Sequence, residues 1–229
     1  MLVLGIDTAT PIASVGLIRE KTVLAERSYA ATSSHAENLL PLIAQVLKLA
    51  QVTLSEVEGI GVTIGPGAFS GLRIALGTVK GFAYALSQRV AGISTLLALA
   101  HCVNGWTGRI CVVLDARKRE VYSACFERDN AGSVRRLTED EVLSPHNLFD
   151  QASSPCLFIG DGVDRYRDII REHCGTRVQL AALAESPPRG SVVARLAWER
   201  FRRGEQDDVS QLVPHYIRRS DAERNRGIG

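Results

Sequence analysis

The sequence predicts a layered α/β protein in which one half-domain pattern is used twice, and three observations carry that prediction. An apolar run at 2–6 ends in Asp7 and a polar turn, Asp7-Thr8-Ala9-Thr10-Pro11, before a second apolar run at 12–18. The same order returns later: Ile110-Cys111-Val112-Val113-Leu114-Asp115, a turn, then Val121-Tyr122-Ser123-Ala124-Cys125-Phe126. The offset between Asp7 and Asp115 nearly halves the 229-residue chain, which favours internal duplication over a chance match. At about 100–200 residues per domain the length accommodates two such halves. The expected division is 1–106 for a first half and 107–229 for a second, less regular half ending in a helix and a tail.

Each element follows from local pattern. Apolar runs at 2–6, 12–18 and 23–29, joined by tight turns, read as a strand meander. Ser33-Ser34-His35-Ala36-Glu37 offers a helix start with Ser34 as N-cap and Glu37 closing a capping box, and that helix runs over 35–50. A buried strand at 59–64 leads into a Gly65-Pro66-Gly67 turn and a helix over 70–87 with Ser70 as its N-cap. A strand at 90–93 and a helix at 95–103 complete a meander followed by βαβα, a mixed layered domain. After the repeated strand pair, helices are expected near 145–151, 163–174 and 191–203, with a strand at 156–159. The tail from Arg218 is polar and expected to fray.

Composition narrows the function classes. Lys plus Arg number 27 against 25 Asp plus Glu, a formal net charge of +2, which excludes a polybasic nucleic-acid coat. No apolar run reaches the ~18 residues needed to span a bilayer, so no membrane role is expected. Asp7 interrupts the N-terminal apolar run too early for a signal peptide, and a cytoplasmic protein is expected. The five cysteines contain no C-x-x-C pair and are expected to be free, buried thiols rather than a metal site. The Arg-rich end, from Arg195 through Arg203 and again from Arg218, is interrupted by carboxylates such as Glu199 and Asp207 and reads as a solvated surface.

Two copies of a strand–Asp–hairpin half point to the actin-like, heat-shock ATPase (ribonuclease H-like) architecture, in which paired halves clamp ATP. Asp7, Thr8 and Thr10 suit the first phosphate hairpin, and Gly65, Gly67 and Ser70 form a second loop whose backbone could meet an anion. The repeated turn does not suit: Asp115-Ala116-Arg117-Lys118-Arg119-Glu120 is bulky where backbone must approach phosphate. No G-K dipeptide occurs, so a Walker loop is excluded. A vestigial nucleotide loop is therefore expected, with no catalytic residue and no metal ligand. A sugar-kinase-like phosphotransferase using Asp7 and Asp115 is the alternative, and a vestigial glycoprotease-like metalloprotein is the third reading.

Gly5-Ile6-Asp7-Thr8-Ala9-Thr10, Ser34-His35-Ala36-Glu37-Asn38-Leu39-Leu40-Pro41, Gly65-Pro66-Gly67-Ala68-Phe69-Ser70-Gly71-Leu72-Arg73, Gly92-Ile93-Ser94-Thr95-Leu96 and Asp115-Ala116-Arg117-Lys118-Arg119-Glu120-Val121-Tyr122 stand in the order seen in the TsaB (YeaZ) family. Pro214-His215-Tyr216-Ile217-Arg218 resembles that family's closing stretch. The resemblance implies a non-catalytic subunit of the bacterial machinery that places threonylcarbamoyl on the tRNA adenosine next to the anticodon. It implies a TsaD-like catalytic paralogue that holds ATP and metal, a TsaE-like ATPase, indirect contact with tRNA, and a homodimer when the chain is alone. TsaD-like proteins hold metal with two His one helical turn apart. Here His101 stands with Leu97, Ala98, Asn104 and Gly105 at the neighbouring turn positions.

Helix faces supply the expected partner surface. At 100° per residue the apolar positions of the first helix spread over roughly 220°, where packing on a sheet needs a stripe only somewhat wider than about 100°. Leu39, Leu42, Ile43, Val46 and Leu49 are the expected contributors. On the second helix Gly77, Gly81 and Ala85 recur every four residues beside Ile74, with Arg73 one turn in, a pattern that admits close backbone approach by another helix pair.

Overall fold

The structure is a computed structural model and describes residues 1–30, 35–151 and 155–218. In the first sheet, β1 (Leu2–Asp7) pairs antiparallel with β2 (Ile12–Arg19), and β2 pairs antiparallel with β3 (Thr22–Ala30). After α1 (His35–Ala50), β4 (Gly59–Gly65) joins parallel to β1; after α2 (Phe69–Leu86), β5 (Arg89–Ser94) joins parallel to β4. The strand order is β3-β2-β1-β4-β5.

Helix α3 (Thr95–Cys102) leads to the second sheet. There β6 (Gly108–Arg117), β7 (Glu120–Arg128) and β8 (Val134–Arg136) form the meander, β9 (Glu141–Leu143) adds to β7, and β10 (Cys156–Ile159) and β11 (Val178–Ala181) form the parallel side. Its order, β8-β7-β6-β10-β11, repeats the first sheet strand for strand. The fold is the actin-like, ribonuclease H-like one that the two Asp-bearing repeats predict. Strands β8, β9 and β11 are only three or four residues long and leave no readable alternation in the sequence. The segment Pro145–Gln151 is a 3₁₀ helix rather than an α-helix.

Helix α5 (Gly190–Arg202) falls in the second half of the expected division but lies across β1, β2 and β4 of the first sheet, while α4 (Asp161–Cys174) covers β6. A row of glycines explains the seat. Register sets Gly16, Gly5 and Gly61 side by side across β2, β1 and β4. A Cβ at Gly5 would stand 2.0 Å from the Gly190 carbonyl oxygen, one at Gly16 2.2 Å from the Ser191 nitrogen, and one at Gly61 2.6 Å from the Ala197 Cβ. Bare backbone on the sheet thus lets the helix descend onto it. Helix α3 bridges the halves: Leu96 and Leu99 join the core under the second sheet, and Ala98 and Cys102 pack with α5.

Two local expectations are corrected. Ala68 precedes α2 as its N-cap and Ser70 lies inside the first turn, because the loop is held by an Ala68 N–H to Ala9 carbonyl bond of 2.8 Å instead of a side-chain cap. The proposed Ser34 cap lies outside the described residues. All five cysteines are buried, but only Cys102, Cys156 and Cys174 are free thiols. Cys111 and Cys125 sit opposite one another across β6 and β7 and are joined as a disulfide, a pairing set by strand register. Among the described residues no helix is long and apolar enough to cross a membrane.

Candidate functional site

The two Asp-bearing turns face a common cleft of about 540 Å³ that is also lined by Gly67, Phe69, Ser70, Tyr122 and Asp161. On the first side, Asp7 is wholly buried beneath the turn. Its Oδ1 accepts from the Ala9 N–H at 2.8 Å and the Thr63 hydroxyl at 3.3 Å, whereas Oδ2 has no partner among the described residues. Burial pushes its carboxyl from 3.8 up to about 6, against the opposing pull of those two hydrogen bonds.

The donors of the first turn are committed within the chain. The Thr8 hydroxyl donates to the Gly71 carbonyl at 2.8 Å, and the Thr10 hydroxyl donates to the Ile12 carbonyl at 2.9 Å while accepting from the Ile12 N–H at 3.2 Å. The Ala9 N–H goes to Asp7 and the Ala68 N–H to the Ala9 carbonyl. The loop around the cis Gly65–Pro66 bond is pressed so closely onto the turn that a Cβ at Gly67 would stand 2.4 Å from the Ala9 oxygen. Of the residues expected there, Asp7, Thr8, Thr10, Gly65 and Gly67 come together as one closed unit, and Ser70 stands exposed on the cleft rim.

The second turn is closed by charge. Arg117, Lys118 and Arg119 run through three consecutive left-handed conformations, with φ of 64°, 52° and 62°. Asp115 Oδ1 accepts from the Arg117 N–H at 2.9 Å, and Oδ2 meets the Arg165 guanidinium at 3.0 Å. The Asp115 N–H donates to Asp161 at 3.0 Å, and burial raises the Asp161 carboxyl above its ordinary value. Arg218 reaches in from the C-terminal segment, donating to the Ala116 carbonyl at 2.6 Å and pairing with Glu120 at 3.3 Å. Arg218 is thus anchored rather than frayed; residues 219–229 lie outside the described residues. Tyr122 and Arg218 were not singled out by sequence reasoning for this cleft, and Arg218 reaches it from 103 positions beyond Asp115 in the chain. Among the described residues no three His, Cys, Asp or Glu side chains are grouped as a metal site requires.

The helix pair divides the expected surface residues. Leu39, Leu42, Ile43 and Val46 of α1 are buried in the core with Leu4, Ile60 and Leu76, so they serve the chain's own packing and are corrected as surface positions. Leu49 does stand out, 51% exposed, and with it Leu40 at 53%. On α2, Arg73, Gly77, Gly81 and Ala85 are exposed and Ile74 is half-buried; added Cβ atoms at Gly77 and Gly81 would meet nothing within 4 Å. Tyr84, 65% exposed, extends this face, and Phe69 begins it. Arg73 is engaged within the chain: its Nε donates to the Tyr216 hydroxyl at 2.9 Å, and its guanidinium lies 3.9 Å over the Phe69 ring, which stacks on Tyr216. Leu40 was visible as part of the over-wide apolar arc. Tyr84 and Tyr216 gave no periodic signal.

A family model described as TsaD: tRNA N6-adenosine threonylcarbamoyltransferase matches residues 23–226. The tRNA threonylcarbamoyladenosine biosynthesis protein TsaB of Bacillus subtilis is 28% identical over 97% of this chain and 96% of its own. The solved structure of YeaZ from Pseudomonas aeruginosa superposes with a TM-score of 0.79 at 31% identity, covering 94% of this chain and 99% of that one. Component A of the Acidaminococcus fermentans (R)-2-hydroxyglutaryl-CoA dehydratase shares the fold alone, with a TM-score of 0.52 at 11% identity over 87% of this chain and 98% of its own. Sequence order, duplicated topology and near-complete coverage agree, and the chain belongs to the TsaB (YeaZ) family.

Proposed function

We propose that the chain serves tRNA threonylcarbamoyladenosine formation as a non-catalytic subunit that binds and stabilises a TsaD-like catalytic paralogue through the α1–α2 face. The observations that carry this reading are the open Gly77–Gly81 stripe of α2 with exposed Tyr84, and the exposed Leu40 and Leu49 on either side of the buried stripe of α1. Exposed apolar area of this kind, on a helix pair that needs none of it for its own sheet, fits an interface. The committed donors around Asp7 and the ion-paired Asp115 support the absence of catalysis and of a bound nucleotide in this chain alone. ATP and metal then belong to the paralogue, a TsaE-like ATPase joins the assembly, tRNA is met through the complex, and the whole works in the cytoplasm. The same face pairs two copies when the paralogue is missing.

Light scattering after size exclusion, on this chain alone and mixed with the TsaD paralogue of the same organism, tests the reading. A self-dimer that yields to a heterodimer is the expected result. Leu49→Glu with Gly81→Arg should abolish both associations while thermal unfolding stays cooperative, since both positions face open space. Leu42→Glu is unsuitable because it would bury a carboxylate in the core. Unchanged association in the double variant overturns the assignment of the face. Tight binding of magnesium-ATP by the isolated chain, lost in Asp7→Ala, would turn the reading to a phosphotransferase, and stoichiometric zinc in the pure protein would turn it to a metalloprotein.

A further inference from the structure

A second cavity, of about 160 Å³, lies where the β2–β3 turn, the end of α3, the end of β7 and the first turns of α5 converge. Leu2 pairs with Arg19 and Asp7 with Ser14, so this cavity is at the opposite end of the first sheet from the Asp7 turn. Lys21, His101, Arg128, Arg189 and Arg195 line it with Asn104, and no carboxylate does.

The donors divide into committed and spare. Arg189 pairs with Glu26 through Nε and Nη2, both at 3.0 Å, and Arg128 Nη1 donates to the Val103 carbonyl at 2.6 Å. The first amides of α5 are also taken: Gly190 N–H donates to Ser14 at 2.9 Å and Ser191 N–H to Glu26 at 2.8 Å. Arg195 is half-buried and makes no hydrogen bond or ion pair among the described residues. The Lys21 ammonium lies 5.9 Å from the Trp198 ring and has no carboxylate partner among them. His101 is half-buried without a hydrogen bond there, and burial, reinforced by Arg195 and Arg128, holds its pKa down to about 4.

Like charges gathered around a cavity without a carboxylate attract an anion. The volume exceeds the 10–15 Å³ that one water needs, so it admits a small oxyanion with part of its hydration. Spare groups come from three separate elements, the β2–β3 turn, α3 and α5, and can meet several oxygens of a phosphate at once. We propose that this cavity binds a small, free phosphate-type anion, with Arg195 and Lys21 as its principal ligands and His101 at its edge.

Calorimetric titration of the full chain with inorganic phosphate tests this, alongside NMR of the His101 ring. Binding of one phosphate per chain is expected, weakened about tenfold or more by Arg195→Ala and less by Lys21→Ala. Arg119→Ala, on the β6–β7 turn of the second sheet and outside this cavity, should leave it unchanged. The His101 resonances of the unmodified chain should move with phosphate, a readout that survives if Arg195→Ala unfolds. Absence of binding, equal affinity in the Arg195→Ala chain, or phosphate binding without movement of His101 overturns the proposal. So does binding of an eight-nucleotide single-stranded RNA without any binding of phosphate, which would assign the cavity to a nucleic-acid backbone.

Discussion

Asp7 and Asp115 each sit at the β-hairpin turn of the same topology, but one is buried without a counter-charge and the other is paired with two arginines, Arg117 and Arg165. Around Asp7 the turn is sealed by neutral backbone and hydroxyl hydrogen bonds, and Oδ2 is left unsatisfied. Around Asp115 the carboxylate is fully engaged, by the Arg117 amide and the Arg165 guanidinium. A duplicated scaffold therefore keeps the position of its two carboxylates while their surroundings diverge. The two turns that face the shared cleft are thus tied up by unrelated means, hydrogen bonding and packing on one side and charge on the other.

The largest effect should come from lifting the lid on Asp7. Ser14, opposite Asp7 in register, accepts from the first amide of α5, so the helix seated on the glycine row also covers the buried carboxylate. Gly5→Val places carbon where the Gly190 oxygen stands and should cost about 3 kcal/mol or more in chemical denaturation. A loss below about 1 kcal/mol would mean that α5 is not held by this seat.

The two carboxylates should next answer the same substitution with opposite signs. The folded pKa of Asp7 lies near 6 against 3.8 unfolded, so the native state holds the extra proton between those values. Stability then falls as pH rises through that window, and the full penalty is present above it. Asp7→Asn should raise stability at pH 7 by about 1–3 kcal/mol, the upper value being the full shift and the lower allowing for the unpaired amide. His101 has the opposite linkage: held near pKa 4 against 6.5 unfolded, it makes stability rise with pH over that interval. Between pH 4 and 6 the denaturation midpoints of the Asp7→Asn chain should therefore climb relative to those of the unmodified chain.

Asp115→Asn, the smallest effect, should lower stability at pH 7 by up to about 1 kcal/mol, because it removes partly exposed ion pairs. A gain in stability there, or a loss at Asp7, would erase the contrast between the two turns.

The repeat itself was legible because a strand, an Asp, a tight turn and a second strand are all local signals. The α1 and α2 positions were legible for the same reason, and the over-wide apolar arc of α1 pointed correctly to exposed leucines. Which leucines they are was not legible: Leu42 and Leu49 both belong to the arc, and only contact with β2, β3 and α2 buries the first and leaves the second outside. Arg73 looked available from its place one turn into α2, yet its partner Tyr216 comes from 143 residues away. The basic cavity drew no attention because its residues are scattered over four elements.

Length, periodicity and the doubled Asp turn determined by themselves that this chain is a duplicated actin-like α/β protein, since strands, turns and helix starts depend on neighbours in sequence. Tertiary structure decided which glycines are seats and which are open surface, how each carboxylate is neutralised, and where α5 lies. Those outcomes depend on desolvation and on distances between segments far apart in the chain: Gly5 is a close-packed contact only because Gly190 rests on it, and Asp7 is an acid of raised pKa only because the folded chain shuts water away from it.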